Sequence, residues 1–201
     1  MEHKELGLGI WQYDFPEDMA KSIVDMVEQS DTLFWEKSGI GSGEDKDQNY
    51  RTSKGINFNE TLPFWAQEVQ KFYIEAVNDY RNHFDLLINQ DEGFNMLRYE
   101  KTNKYDFHVD TSWTNYRVLS GLIYLNPSEY QGGETFFKYF DLKVKPEKPT
   151  IVLFPSNYIY LHAAMPVEEG VKYILVTWMN DLPQGMNCKV MDTIARAAGR
   201  I

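Results

Sequence analysis

A mainly β protein, with a double-stranded β-helix (jelly roll) core packed on N-terminal helices, is the fold this sequence predicts. Three observations carry the expectation. From residue 93 onward, short β-rich runs alternate with Gly, Pro, Asn and Asp, the punctuation of an all-β sandwich or barrel. Both strong helical periodicities lie before that point. No long helical pattern interrupts the β runs, which disfavours a parallel sheet built from βαβ units. At 201 residues, 43% hydrophobic and 15% aromatic, the chain can bury the core of one substantial domain.

The elements follow in chain order. Asp14–Ser30 reads as a helix: Asp14 is placed to cap, Pro16 suits the first turn, and Met19, Ile23, Met26 and Val27 recur at helical spacing. Lys37–Asn49 is rich in Gly, Ser and Asp and reads as a loop. Tyr50–Phe58 reads as a short strand. A second helix is expected over Leu62–Phe84, where Phe64, Trp65, Val69, Phe72, Tyr73, Ala76, Val77 and Tyr80 form a broad apolar stripe. The β runs are GFNMLRYE, RVLSGLIYLN, GGETFFKYF, TIVLFP, YIYLHAA and VKYILVTWM. One domain is expected, with residues 1–92 as helical support, 93–180 as the jelly roll and 181–201 as a mildly helical, basic tail.

Composition excludes some functions. No apolar run approaches the roughly 20 residues that span a bilayer, so no membrane partner is expected. The N-terminus lacks the basic and apolar regions of a secretory signal. Cys188 is the sole cysteine, which excludes internal disulfides and suits a reducing, cytoplasmic setting. A formal net charge of −10 repels a phosphate backbone, so nucleic acid is not an expected partner. The same charge would steer a basic substrate favourably, or simply maintain solubility.

One short stretch points to chemistry. YDFHVDTSW places His108 and Asp110 two residues apart, and side chains at that spacing share a face of a strand. A third ligand would complete a metal site. His3 sits in the N-terminal tail, and His83 reads as a capping or surface residue at the end of the second helix. His162 lies on a β run of the jelly roll, and alone it reads as a core histidine bonded to a carbonyl. Together with His108 and Asp110 it would make the two-histidine, one-carboxylate facial triad of non-haem Fe(II) oxygenases. Ten residues later comes Lys172, which shares strand parity with Ile174, Val176 and Trp178. A lysine on such a face either snorkels from the strand end or is buried and needs a partner, such as the carboxylate of a bound diacid.

These residues stand in a familiar order. The sequence resembles the Fe(II)/2-oxoglutarate-dependent dioxygenases, in their prolyl 4-hydroxylase branch, from about Tyr50 to Trp178. The pattern appears as YEKTNKYDFHVD, with Tyr99, Tyr105, His108 and Asp110 in register and Thr102 where the family has glycine. Tyr124-Leu125-Asn126, Gly132-Gly133-Glu134-Thr135 and HAAMPVEEGVK follow, and Arg51-Thr52-Ser53 precedes. The resemblance implies that His108, Asp110 and His162 bind Fe(II). It also implies that Lys172, Tyr99 and Tyr124 hold 2-oxoglutarate, and that Tyr105, Arg117 and Trp178 line the target site. Arg117 has the opposite parity to Tyr124, so it reaches that pocket only through a bend or bulge. Asn180 stands where the family has histidine.

The implied reaction couples decarboxylation of 2-oxoglutarate, to succinate and CO2, with hydroxylation of a C–H bond by O2, with ascorbate as a reductant. Related halogenases lack the carboxylate, so Asp110 points to hydroxylation. The substrate implied is a prolyl residue in a peptide or protein. A free amino acid or another small molecule, handled by the same chemistry, is the alternative, and a catalytically silent jelly roll is a third.

Overall fold

Alternation along the β runs decides how the layers stack. In Thr150–Pro155, Ile151 and Leu153 join one buried cluster while Val152 and Phe154 join another. The same division separates Leu175 from Ile174 and Val176, and Ile123 from Leu122 and Tyr124. Strands buried on both faces read as nearly continuous apolar runs, which is why these segments stand out in the sequence. The computed structural model describes residues 1–39, 49–88, 90–112 and 116–181. Most of the expected Lys37–Asn49 loop and nearly all of the tail lie outside the described residues.

Among the described residues, nine strands form the larger sheet. Its path runs His3–Gly7, Ile10–Asp14, Thr150–Pro155, Arg117–Tyr124, Lys172–Asn180, Asn95–Tyr99, Lys54–Asn57 and Glu36–Lys37, with Gln90–Asp91 pairing Lys172–Asn180. A four-stranded sheet, Leu142–Val144, Thr135–Phe137, His162–Ala164 and Tyr105–His108, faces it. The pairings around the core are antiparallel. The architecture is thus mainly β, a jelly roll with helices on one outer face. No helix among the described residues is long and apolar enough to cross a membrane.

The helices cover the outer face of the larger sheet. Glu17–Gln29 buries Ala20, Ile23, Val24 and Val27. Asp14 does not cap it; Asp14 ends a strand and accepts from Lys148 at 2.7 Å, and Pro16 takes the N-cap place. Met26 is exposed, because Ala20 and Val24 complete the buried stripe instead. The helix Pro63–Phe84 buries Ala66, Val69, Tyr73, Ala76, Val77 and Tyr80, leaving Phe64 in solvent. Tyr73 presses so close to the central strand that a Cβ at Gly121 would lie 2.5 Å from its ring. Gly121→Ala is therefore expected to destabilise the fold by ~1–3 kcal/mol, seen as a lower urea midpoint. An unchanged midpoint would mean that the helix shifts freely.

One element goes beyond the sequence expectation. The N-terminal stretch forms a hairpin, His3–Gly7 with Ile10–Asp14, that extends the larger sheet next to Thr150–Pro155. Gly9 turns it at a φ of 66°, and Ile10 and Trp11 bury on opposite faces. Residues 1–92 thus supply strands as well as helices. The Tyr50–Phe58 segment is strand only over Lys54–Asn57, with Arg51 bridging to Tyr105, and Phe58 already opens a short helix.

Candidate metal and cosubstrate site

Antiparallel pairing assembles the site. The strand His162–Ala164 lies beside Tyr105–His108 in the register that sets His162 opposite His108, and the imidazole centroids are 4.3 Å apart. Asp110 stands just past the strand end, in a bend. Its position is set by a hydrogen bond rather than by strand parity: the Ser120 hydroxyl donates to Oδ2 at 2.6 Å, and Ser120 in turn meets Ser156 at 2.8 Å. Asp110 Oδ1 is 3.6 Å from His108 Nε2, and Oδ2 is 3.8 Å from His162 Nε2. One ligand atom from each of the three lies within 4.8 Å of the others, spacing that could hold a metal ion.

Local hydrogen bonds prepare the imidazoles for that role. His108 Nδ1 lies 2.8 Å from the Asp106 carbonyl, and His162 Nδ1 lies 3.0 Å from the Tyr160 carbonyl. A carbonyl can only accept, so each Nδ1 carries a proton and each Nε2 is the atom that faces Asp110. Burial, and then the neighbouring His162, push the His108 imidazole well below its ordinary range and keep it neutral. Burial alone would raise the Asp110 carboxyl. His162, His108 and the Ser120 hydroxyl outweigh it and hold the group ionised below the usual carboxylate range. Two imidazole nitrogens and one carboxylate, all nearly buried, fit a divalent transition metal with open coordination positions. His3 and His83 gather instead around Trp11, with His3 also 2.8 Å from Asp79.

The second half of the site is an aromatic box around one ammonium. Lys172 and Tyr99 face each other across neighbouring strands, and Tyr124 lies on the strand beyond. Lys172 is 1% exposed, and its Nζ sits 5.4, 5.0 and 6.0 Å from the rings of Tyr99, Tyr124 and Tyr130. Among the described residues it donates one hydrogen bond, to the Gly133 carbonyl at 2.7 Å. Burial pushes this ammonium down to about 7, with Glu134 partly opposing and Lys145 adding to the fall. The sequence-level choice between a snorkelling and a buried lysine thus resolves to burial. A buried cation with donors to spare, beside the unpartnered buried hydroxyl of Tyr130, fits the carboxylate end of a diacid. Tyr99 lies within electrostatic reach of Asp110, which ties the box to the triad.

A third group forms the mouth. Tyr105 stacks on His108 at 3.6 Å, with Arg51 over its ring at 4.4 Å. Arg117 does turn toward Trp178: the register shifts by one residue between Met179 and Asn180, a bulge that restores the missing parity. Its guanidinium lies 3.5 Å over the indole and grips Glu92 with two bonds, at 2.9 and 2.6 Å. Asn180, where histidine was expected, donates to the same Glu92 at 3.2 Å. Thr102 adopts a φ of 70°. It keeps the turn that a glycine would make there, at a cost of about 1–2 kcal/mol.

Sequence reading passed over Ser120, Tyr130, Thr135 and Glu92. Ser120 carried a signal, because it shares parity with Tyr124 on a strand that is otherwise apolar. Thr135 lies inside a recognised motif and meets the Tyr124 hydroxyl at 2.6 Å. Glu92 lies between two strands and Tyr130 opens the short strand Tyr130–Gly132, both in unremarkable local sequence that gave no signal.

Residues 94–180 match the family model of the 2OG-Fe(II) oxygenase superfamily. A probable prolyl 4-hydroxylase 9 from Arabidopsis thaliana is 35% identical over 122 residues, covering 46% of this chain and 42% of that protein. The chain therefore spans less than half the length of this relative. A prolyl hydroxylase from Trichoplax adhaerens, solved with a peptide fragment of the hypoxia inducible factor oxygen degradation domain, superposes with a TM-score of 0.73 at 15% identity, covering 93% of this chain and 87% of that one. A prolyl-4-hydroxylase from Pseudomonas putida gives 0.69 at 17% identity, over 86% and 93%. At such identities the structural likeness bears on the fold, and the sequence matches bear on the family. Residues 94–180 are thus similar to a 2OG-Fe(II) oxygenase superfamily domain, and the similar proteins named above are prolyl hydroxylases.

Proposed function

We propose that this chain is an Fe(II)- and 2-oxoglutarate-dependent dioxygenase that hydroxylates a prolyl residue in a peptide or protein. The observation that carries the reading is the convergence of His108, Asp110 and His162, together with a buried Lys172 whose ammonium has donors to spare. When bound, ferrous iron with 2-oxoglutarate and O2 would supply the oxidising power, releasing succinate and CO2, with ascorbate as a reductant. The chain's own residues do the rest. His108 and His162 offer Nε2 lone pairs, and Asp110 supplies the one negative charge of the triad. Lys172 holds the cosubstrate's distal carboxylate, with Tyr99 and Tyr124 lining the cosubstrate site beside it, in an environment dry enough for the ion pair to be strong. Tyr105, Trp178 and the tethered Arg117 orient the target C–H and exclude water.

The peptide assignment rests on the mouth. Arg117 is already paired with Glu92, so a free amino acid would have to compete for it with its own carboxylate. Proline-rich peptides and free proline, offered side by side with Fe(II), 2-oxoglutarate and ascorbate, test the choice by mass spectrometry. The expected result is gain of one oxygen on the peptide with matching succinate release. Oxygen gain on free proline alone would replace the peptide by a small-molecule substrate.

A further inference from the structure

We propose that Tyr130 is a cosubstrate-selecting residue, its hydroxyl donating to the distal carboxylate of the diacid held by Lys172. The inference rests on the dioxygenase reading and adds a residue to which no sequence motif pointed. Tyr130 is nearly buried, and its hydroxyl has no hydrogen-bond partner among the described residues. A buried hydroxyl left without a partner costs about 1–3 kcal/mol. Its neighbours show what is missing. The Lys172 ammonium lies 6.0 Å from the ring centroid and the Lys145 ammonium 4.8 Å from it. Lys145 also donates to the Tyr130 carbonyl at 2.7 Å, which anchors the backbone beneath the ring.

The ring is held firmly. Gly133, at a φ of 67°, passes so close that a Cβ there would lie 3.0 Å from Tyr130 Cε2. The neighbouring Tyr124 hydroxyl is already engaged by Thr135 at 2.6 Å. Tyr130 therefore keeps a free donor in this box, with the Lys172 ammonium 6.0 Å from its ring and carrying donors to spare. A carboxylate satisfies both at once; a methyl group would satisfy neither and would leave Lys172 unpaired. Tyr130 would thus separate a five-carbon keto diacid from a keto acid with an apolar tail.

Tyr130→Phe removes the hydroxyl and keeps the ring. Isothermal titration with Mn(II) as the probe metal measures the binding of 2-oxoglutarate and of 2-oxopentanoate, which lacks the second carboxylate. For 2-oxoglutarate the expected loss is roughly ten- to a hundredfold, the range of one charge-assisted hydrogen bond, with 2-oxopentanoate binding unchanged. The melting temperature of the metal-free protein should hold or rise, since an orphaned polar group is gone. Equal loss for both acids, or no loss for either, overturns the role of Tyr130. If Tyr130→Phe binds 2-oxoglutarate like the parent while Lys172→Met does not, the dioxygenase reading stands and the Tyr130 inference fails. If the parent chain with Mn(II) binds no 2-oxoglutarate, both fail.

Discussion

Lys172→Met is expected to make the protein more stable and to abolish 2-oxoglutarate binding. The Lys172 ammonium is 1% exposed and is pushed by burial from an ordinary 10.5 down to about 7. A fall of that size corresponds to about 5 kcal/mol of penalty carried by the protonated folded state. Methionine fills a similar volume without the charge and should recover ~2–4 kcal/mol, a rise in melting temperature of roughly 5–10 °C. The sign of the pH dependence follows from the depressed value. Below about pH 7 the lysine is charged in both folded and unfolded chains, and the variant's advantage is complete. Between about 7 and 10.5 the folded chain sheds the proton first, the parent gains stability with rising pH, and the gap closes. Calorimetric scans at pH 6 and pH 9 read the difference. A variant that is less stable than its parent at pH 6 would mean that an internal anion already satisfies Lys172.

The second large effect belongs to the triad. Asp110→Ala removes its only anionic donor and should lower iron affinity by at least about a hundredfold, beyond the loss usual for outer-shell partners. Succinate release should then fall to background. His108→Ala and His162→Ala are expected to behave alike, because their Nε2 atoms approach the same carboxylate from two strands. Lys172→Met should leave iron affinity close to the parent's while losing the cosubstrate. Equilibrium dialysis under anaerobic conditions measures the first quantity and titration calorimetry the second. Turnover that survives in Asp110→Ala would remove that residue from the site.

Much of this architecture is legible along the chain because its signals are local. Thr150–Pro155 and Lys172–Asn180 announce themselves as apolar runs, since both faces of each strand are covered. The helix Pro63–Phe84 is marked by its stripe and its proline at the first turn. The N-terminal hairpin is less visible, because its strands are short and its outer strand is largely exposed. The site divides along the same line. His108 and Asp110 are neighbours in sequence, whereas His162 joins them through a pairing between distant strands that composition cannot reveal. Its choice rests on the few histidines available, and the order of motifs then strengthens it. The turn of Arg117 toward Trp178 depends on a one-residue bulge, which periodicity can demand but not locate. Glu92, Ser120 and Tyr130 act through contacts made only in three dimensions.

The pocket joins two costs that only binding relieves. An ammonium and a phenol are buried with donors unspent, and two imidazoles crowd one carboxylate. Each arrangement lowers the stability of the empty fold, and each becomes favourable when its counterpart arrives. Stability and ligand occupancy should therefore be coupled, with metal and keto diacid together raising the melting temperature more than either alone.

The central claim is that one ion and one diacid occupy adjoining halves of this pocket. A crystal structure of the chain grown anaerobically with Fe(II) and 2-oxoglutarate tests it most directly. The account predicts a single iron bonded to His108 Nε2, His162 Nε2 and an Asp110 oxygen, with the distal carboxylate of the diacid against Lys172. Iron bound away from these three side chains, or a diacid lying outside the tyrosine box, would contradict it.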